Sequence, residues 1–223
     1  MSSDNPHESL IRELAGGLAP VRRLPSPTRR TLAWIAAVVL IGVCGAAIAD
    51  LHALSARLAA TPDMWLAATG STLTAALAAF ATFQLSLPDR SRLWAWLPVP
   101  AAILWIAASG LGCLRTWLVP GTHTPGLSEA RDCLLIILAL SLPLSALLIV
   151  MLRKAYVLEP ELTALTAGLA AAAAAATLLN LFHPFDATVS DLAFHAMAVV
   201  MVVAIIRWLG ARALVNDENI RRT

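Results

Sequence analysis

Six apolar runs of similar length follow one another along this chain, separated by short polar pieces. They cover Leu32–Leu54, Trp65–Leu87, Leu93–Leu114, Asp132–Leu152, Leu162–Phe182 and Leu192–Leu214. Each is close to the roughly 20 residues that a helix needs to cross the hydrocarbon layer of a bilayer. Lipid offers no hydrogen bonds to open backbone, so the runs predict helices. Two polar ends remain, residues 1–31 and 215–223. The first 31 residues are polar and lead into a full-length span, which is not the layout of a secretory leader. The pattern predicts an all-α polytopic membrane protein: a six-helix transmembrane domain over 32–214 with a polar tail at each end.

Composition agrees with that reading. The chain of 223 residues is 59% hydrophobic and 13% charged, with mean hydropathy +0.75. Soluble domains carry about 25% charged residues. The net charge of +2 says little, but its placement says more. With both termini in the cytoplasm, the inner segments hold Arg12, Arg22, Arg23, Arg29, Arg30, Arg90, Arg92, Arg153, Lys154, Arg207, Arg212, Arg221 and Arg222. The outer segments then hold Arg57, Arg115 and Arg131. Basic residues favour the cytoplasmic side, so this split selects termini inside. Trp34, Trp65, Trp94, Trp96, Trp117 and Trp208 fall near span ends, where interfacial belts form, and Trp105 falls inside a span.

Small residues suggest how the helices meet. Ala167 to Ala176 is nearly all alanine, with Gly168 inside it. Close backbone approach holds helices together in lipid, so the fifth span is expected at the centre of the bundle. Pro98, Pro100 and Pro143 are candidate kinks. The inner connections are short: a tight turn over Leu87–Arg92 and a loop over Arg153–Glu161. The stretch from Arg115 to Arg131, with His123, reads as an irregular outer loop.

In the N-terminal tail, Leu10, Ile11, Leu14 and Leu18 recur at helical spacing, with Arg12 and Glu13 on the other face. Gly16 and Gly17 weaken this helix and Pro20 ends it. So short a helix is marginal alone. Two partners suit it equally on physical grounds: a groove on a cytosolic protein, or the inner leaflet, drawn by Arg22, Arg23, Arg29 and Arg30.

The run Leu10-Ile11-Arg12-Glu13-Leu14-Ala15, then Leu18-Ala19-Pro20-Val21-Arg22-Arg23-Leu24, with Pro25 and Pro27 before Arg29-Arg30, resembles the N-terminus of the NrsF family. Asp132-Cys133, Leu142-Pro143, Leu152-Arg153-Lys154-Ala155 and Phe194-His195 resemble later parts of that family's pattern. Its members are six-span proteins of the bacterial inner membrane, named as negative regulators of sigma F. They act as anti-sigma factors for extracytoplasmic-function sigma factors. The resemblance implies that residues 1–31 bind such a sigma factor, through Leu10, Ile11, Leu14, Leu18, Val21, Arg22 and Arg23. It implies no direct contact with nucleic acid and no enzymatic activity. One departure matters: the family carries a second cysteine, followed by proline, at the outer end of the fifth span, and this chain has His183-Pro184 there.

The topology sets the remaining special residues at one depth. Cys113 ends the third span, Cys133 opens the fourth, His183 ends the fifth and His195 opens the sixth, all at the outer face, with Asp132, Asp186 and Asp191. Thiolate and imidazole are ligands for zinc, cadmium or copper(I). A cysteine in the first turn of a helix has its thiolate favoured, which would activate Cys133. Cys133, His183 and His195 form the expected metal- or oxidant-sensing set, with Cys113 as a fourth ligand or as a disulfide partner of Cys133. The metal would be a transient signal; no obligatory cofactor is expected. Cys44 lies mid-span and is expected to be inert packing; Asp50 and His52 are expected to be solvated.

These features predict a membrane anti-sigma factor that releases its partner on a heavy-metal or oxidant signal at the outer face. A small transporter or metal carrier would use the same outer residues, but no Asp, Glu, His, Lys or Arg lies near the middle of any span. A membrane enzyme would pair Cys133 with His183 or His195, but no supporting catalytic pattern accompanies them. Phosphate loops, GxSxG, HExxH and paired CxxC motifs are absent from the sequence.

Overall fold

The computed structural model describes residues 6–16, 24–47, 62–118, 127–153, 157–179 and 200–208, with isolated positions at 49–50, 52, 54–56, 155 and 197. Among these residues every regular element is helical. Helix α1 spans Pro6–Gly16, α2 Pro27–Ala46, α3 Pro62–Leu85, α4 Val99–Leu118, α5 Leu127–Leu152 and α6 Pro160–Leu179. A 3₁₀ turn covers Arg92–Trp96, and 200–208 is helical. Five of the described helical stretches are long and apolar enough to cross a membrane. Most of the expected sixth span lies outside the described residues.

Proline sets several of the starts. α1, α2, α3 and α6 each open on one, where its missing N–H costs nothing and its fixed φ suits the first turn. At α2, Ser26 is the N-cap and its Oγ accepts from the Arg29 N–H at 3.4 Å. The first membrane helix therefore starts five residues before the expected Leu32, and Arg29 and Arg30 belong to it. Pro98 and Pro100 flank the first residue of α4, so they break the expected continuous third span into a 3₁₀ turn and a helix instead of kinking it. Pro143 is tolerated inside α5. The outer loop is shorter than expected, because α4 runs to Leu118 and α5 begins at Leu127.

The helices pack as a row in the order α4, α3, α6, α5, and α2 lies across α3, α6 and α5. The alanine-rich helix is central, as its composition predicts: 14 of its 20 residues are buried, whereas few of the residues over 92–111 are. α3 and α6 run antiparallel. Thr82 Oγ1 donates to Thr166 Oγ1 at 2.9 Å, and Thr177 Oγ1 donates to Ser71 Oγ at 2.9 Å. Small residues let backbones close up elsewhere. A Cβ on Gly70 would stand 2.8 Å from the Trp105 backbone of α4, and one on Gly168 would stand 3.0 Å from Val203 Cα. The 200–208 segment thus packs on α6, and Arg207 reaches Glu161 at 2.8 Å, near the start of that helix.

Two sequence expectations change. Trp34 is no interfacial residue: it is 1% exposed and donates its indole N–H to the Leu144 carbonyl at 3.2 Å. Trp65, Trp96 and Trp208 are exposed, as belt residues should be. Cys44 is exposed on α2 and not packed inside the bundle. Asp50 and His52 are exposed, as expected. Trp34→Phe keeps most of the buried volume and removes the hydrogen bond. It should cost about 1 kcal/mol, read as a small downward shift of Tm in detergent.

Candidate functional site

Two regions are at issue, one at each end of the bundle. At the tail end, α1 presents Leu10, Ile11 and Leu14 at 53%, 64% and 64% exposure. Every described residue over 7–16 is exposed, so the apolar stripe predicted from spacing exists and faces outward. Leu18, Val21, Arg22 and Arg23 lie outside the described residues. Leu24, Pro25 and Ser26 lead into α2.

The first turn of α2 holds the main residue that sequence reasoning missed. Arg30 is only 4% exposed. Its Nη1 donates to Ser86 Oγ at 3.1 Å and its Nη2 donates to the Met151 carbonyl at 2.6 Å. The guanidinium lies over the Phe83 ring, 4.5 Å from its centroid. These contacts come from the ends of two other helices: Phe83 is in the last turn of α3, Ser86 follows it, and Met151 is in the last turn of α5. Ser86 Oγ in turn donates to the Phe83 carbonyl at 2.7 Å.

A buried charge without compensation is costly. No carboxylate is bonded to Arg30 among the described residues, so the compensation comes from elsewhere. The C-terminal end of a helix carries about half a negative elementary charge and up to four unsatisfied carbonyls. Two such ends, from α3 and α5, meet at this guanidinium. Each hydrogen bond from a charged donor contributes roughly 1.5–3 kcal/mol, and the Phe83 face adds about 2 kcal/mol once water is excluded. The planar fork of arginine reaches both acceptors together, which lysine cannot do. The signal available in the sequence was the Ser26-Pro27 start of α2. It puts Arg30 and Trp34 one turn apart on one face, and both donate to backbone carbonyls of α5.

The same end gathers more of the inner-segment charges. Arg92 pairs with Glu159 and Arg207 with Glu161, and these groups lie on three different stretches of the chain. Both pairs are largely exposed and contribute about 0–1 kcal/mol each. Their value here is positional: they put residues 92, 159, 161 and 207 at one end.

At the opposite end lie the backbone positions of two candidate sensing residues, Cys113 and Cys133. Cys133 is the seventh residue of α5, because the helix starts at Leu127 and not at Asp132. The helix-terminal effect fades within the first turn, so the expected activation of this thiol by the helix start is not provided. Cys113 is five residues before the end of α4. Their side chains are outside the described part of the structure, as are His183, His195 and His123 entirely. The helices that carry the two cysteines have different principal neighbours: α4 packs on α3, whereas α5 packs on α6 and α2. Among the described residues no three His, Cys, Asp or Glu side chains are grouped to hold a metal ion.

Compared with known families, residues 14–215 match the model of NrsF, described as negative regulator of sigma F. No curated protein and no solved structure matches the chain.

Proposed function

Because the chain belongs to the NrsF family of negative regulators of sigma F, we propose that it is an anti-sigma factor of the bacterial inner membrane whose partner is an extracytoplasmic-function sigma factor. It is a regulator and not an enzyme. Residues 1–31 are the sigma-binding tail, 32–214 form six transmembrane helices, and 215–223 are a second short tail on the same cytoplasmic side. The split of basic residues supports this orientation, and so does the meeting of Arg30, Arg92 and Arg207 with their partners at one end of the bundle. The observation that carries the binding role is the exposed stripe of Leu10, Ile11 and Leu14 at the head of a chain whose family is defined by sigma regulation. Leu18, Val21, Arg22 and Arg23 belong to the same proposed sigma-binding set.

Release is triggered from the outer face by a heavy metal or an oxidant. Cys133, His183 and His195 form the sensing set. α6 has α5 on one flank and the 200–208 segment on another, and both histidines lie in the connection between α6 and that segment. The row order favours Cys133 over Cys113 as the thiol of this set, and Cys113 stays the fourth candidate ligand. A soft metal such as zinc, cadmium or copper would bind transiently. To take the sigma factor from 1% to 99% released, the signal must favour the released state by about 10⁴-fold, or roughly 5.5 kcal/mol.

The test uses the full-length protein in membranes, with the sigma factor encoded beside its gene. That sigma factor should co-purify with the wild type; no co-purification would sink the reading. Cadmium, zinc, chromate and peroxide are then compared for reporter induction. Cys133→Ser, His183→Ala and His195→Ala should each lower induction by about fivefold or more while leaving uninduced retention intact. Wild-type induction in all three would remove the sensing set and leave the tail's role standing.

A further inference from the structure

We propose that Arg30 is a positioning residue that couples the N-terminal tail to the inner ends of the second and fourth membrane helices, so that a shift of the helix carrying Cys133 moves the tail. The part of this that concerns release rests on the anti-sigma reading above; the anchoring itself does not.

The tail joins the bundle through α2, and α2 meets α5 through donors on one face. Arg30 donates to the Met151 carbonyl and Trp34, one turn later, donates to the Leu144 carbonyl. These acceptors are two turns apart on α5, so the contact runs along the helix and fixes its axial position against α2. Arg30 also holds Ser86, at the end of α3, and covers Phe83. Four residues separate Arg30 from the N-cap Ser26, which leaves one helical turn between the anchor and the tail.

α5 extends from the outer end to this anchor. Cys133 and Met151 are 18 residues apart on it, about 27 Å along the axis. A helix transmits axial displacement as a rigid element, whereas packed side chains hold two discrete arrangements better than a continuum. An axial shift or rotation of α5 therefore changes the distance from the Met151 carbonyl to the guanidinium. Arg30 must then follow it, pulling the first turn of α2, or exchange partners and leave a buried charge half-compensated. Either result repositions residues 24–26 and the helix that precedes them. A residue that only filled space at this point would not need a fork spanning two helix ends.

Full-length protein in lipid nanodiscs is compared by hydrogen exchange as wild type, Arg30→Gln, Arg30→Lys and Ser86→Ala. Exchange should rise together over 27–34 and 149–155, by about tenfold or more in Arg30→Gln and less in the other two, with 164–176 unchanged. In cells, Arg30→Gln at wild-type abundance should raise the uninduced reporter about fivefold or more, and Arg30→Lys should restore it in part. Unchanged exchange over 149–155 in folded Arg30→Gln overturns the proposal. If that variant does not accumulate, wild-type exchange in both Arg30→Lys and Ser86→Ala overturns it instead. Altered exchange with a wild-type reporter overturns the coupling to the tail. If the wild type binds no sigma factor, the anti-sigma reading fails by itself, and the exchange measurements still decide the anchor.

Discussion

Leu14→Asp should free the sigma factor without any inducer. Leu10, Ile11 and Leu14 are more than half exposed on one face of α1, so they are available for a groove on a partner. Burying one leucine side chain contributes about 1.5–3 kcal/mol. Aspartate at the centre of that contact removes this contribution and adds the cost of burying a charge. The combined loss is about 3 kcal/mol or more, over a hundredfold in affinity. The reporter should therefore run near the level of a strain lacking the protein, while the variant stays in the membrane at normal abundance. Arg12→Gln and Glu13→Gln, on the other face, should hold the sigma factor as the wild type does. A tail that served the inner leaflet alone would show no difference in co-purified sigma factor between these two sets.

Gly70→Val should prevent the bundle from assembling at normal yield. A Cβ at this position would lie 2.8 Å from both N and Cα of Trp105. Backbone atoms of a packed helix cannot swing aside as a side-chain tip can, so α3 and α4 must separate. Overpacking by one or two methylenes costs typically 1–3 kcal/mol where side chains can adjust, and here the backbone must move instead. Membrane abundance and Tm in detergent measure the effect, which should exceed that of Gly70→Ala. Gly110→Ala is the control, since no atom lies within 4 Å of the added Cβ. It should be neutral or stabilising, because alanine favours the helix by about 1 kcal/mol over glycine.

These two positions show what apolar patterning reveals and what it hides. Length and composition located the five described spans, because lipid accepts few other sequences. The alanines of α6 announced its central place, because only small side chains permit such close approach. Depth was legible for Trp34, but the direction it faces around its helix was not. Depth alone therefore points Trp34 to the interface, although it enters the core. Arg30 reads in the sequence only as an inner positive charge. Its burial depends on two helix ends that are 56 and 121 residues away in the chain, and no local pattern encodes that meeting. Cys133 and Cys113 shared a depth in the sequence. The order of helices in the row, set by side-to-side packing, places their helices against different neighbours. The five-residue difference in the start of α5 moves Cys133 out of the helix's first turn.

The pairing of α3 with α6 also bears on how the protein is made. Ser71 waits for Thr177 and Thr82 for Thr166, so the partners are synthesised 106 and 84 residues later. Until then α3 sits in the bilayer with its hydroxyl-bearing face unmatched. Each hydroxyl has a provisional acceptor in its own helix: Ser71 reaches the Ala68 carbonyl, Thr74 that of Gly70 and Thr82 that of Ala78. α6 is equipped in the same way, with Thr166 reaching Thr163 and Thr177 reaching Ala173. Serine and threonine, unlike asparagine or glutamine, can satisfy themselves on the preceding turn. The seam hydroxyls can therefore rest in lipid bonded within their own helices, and the central seam closes only when the fifth span arrives during translation.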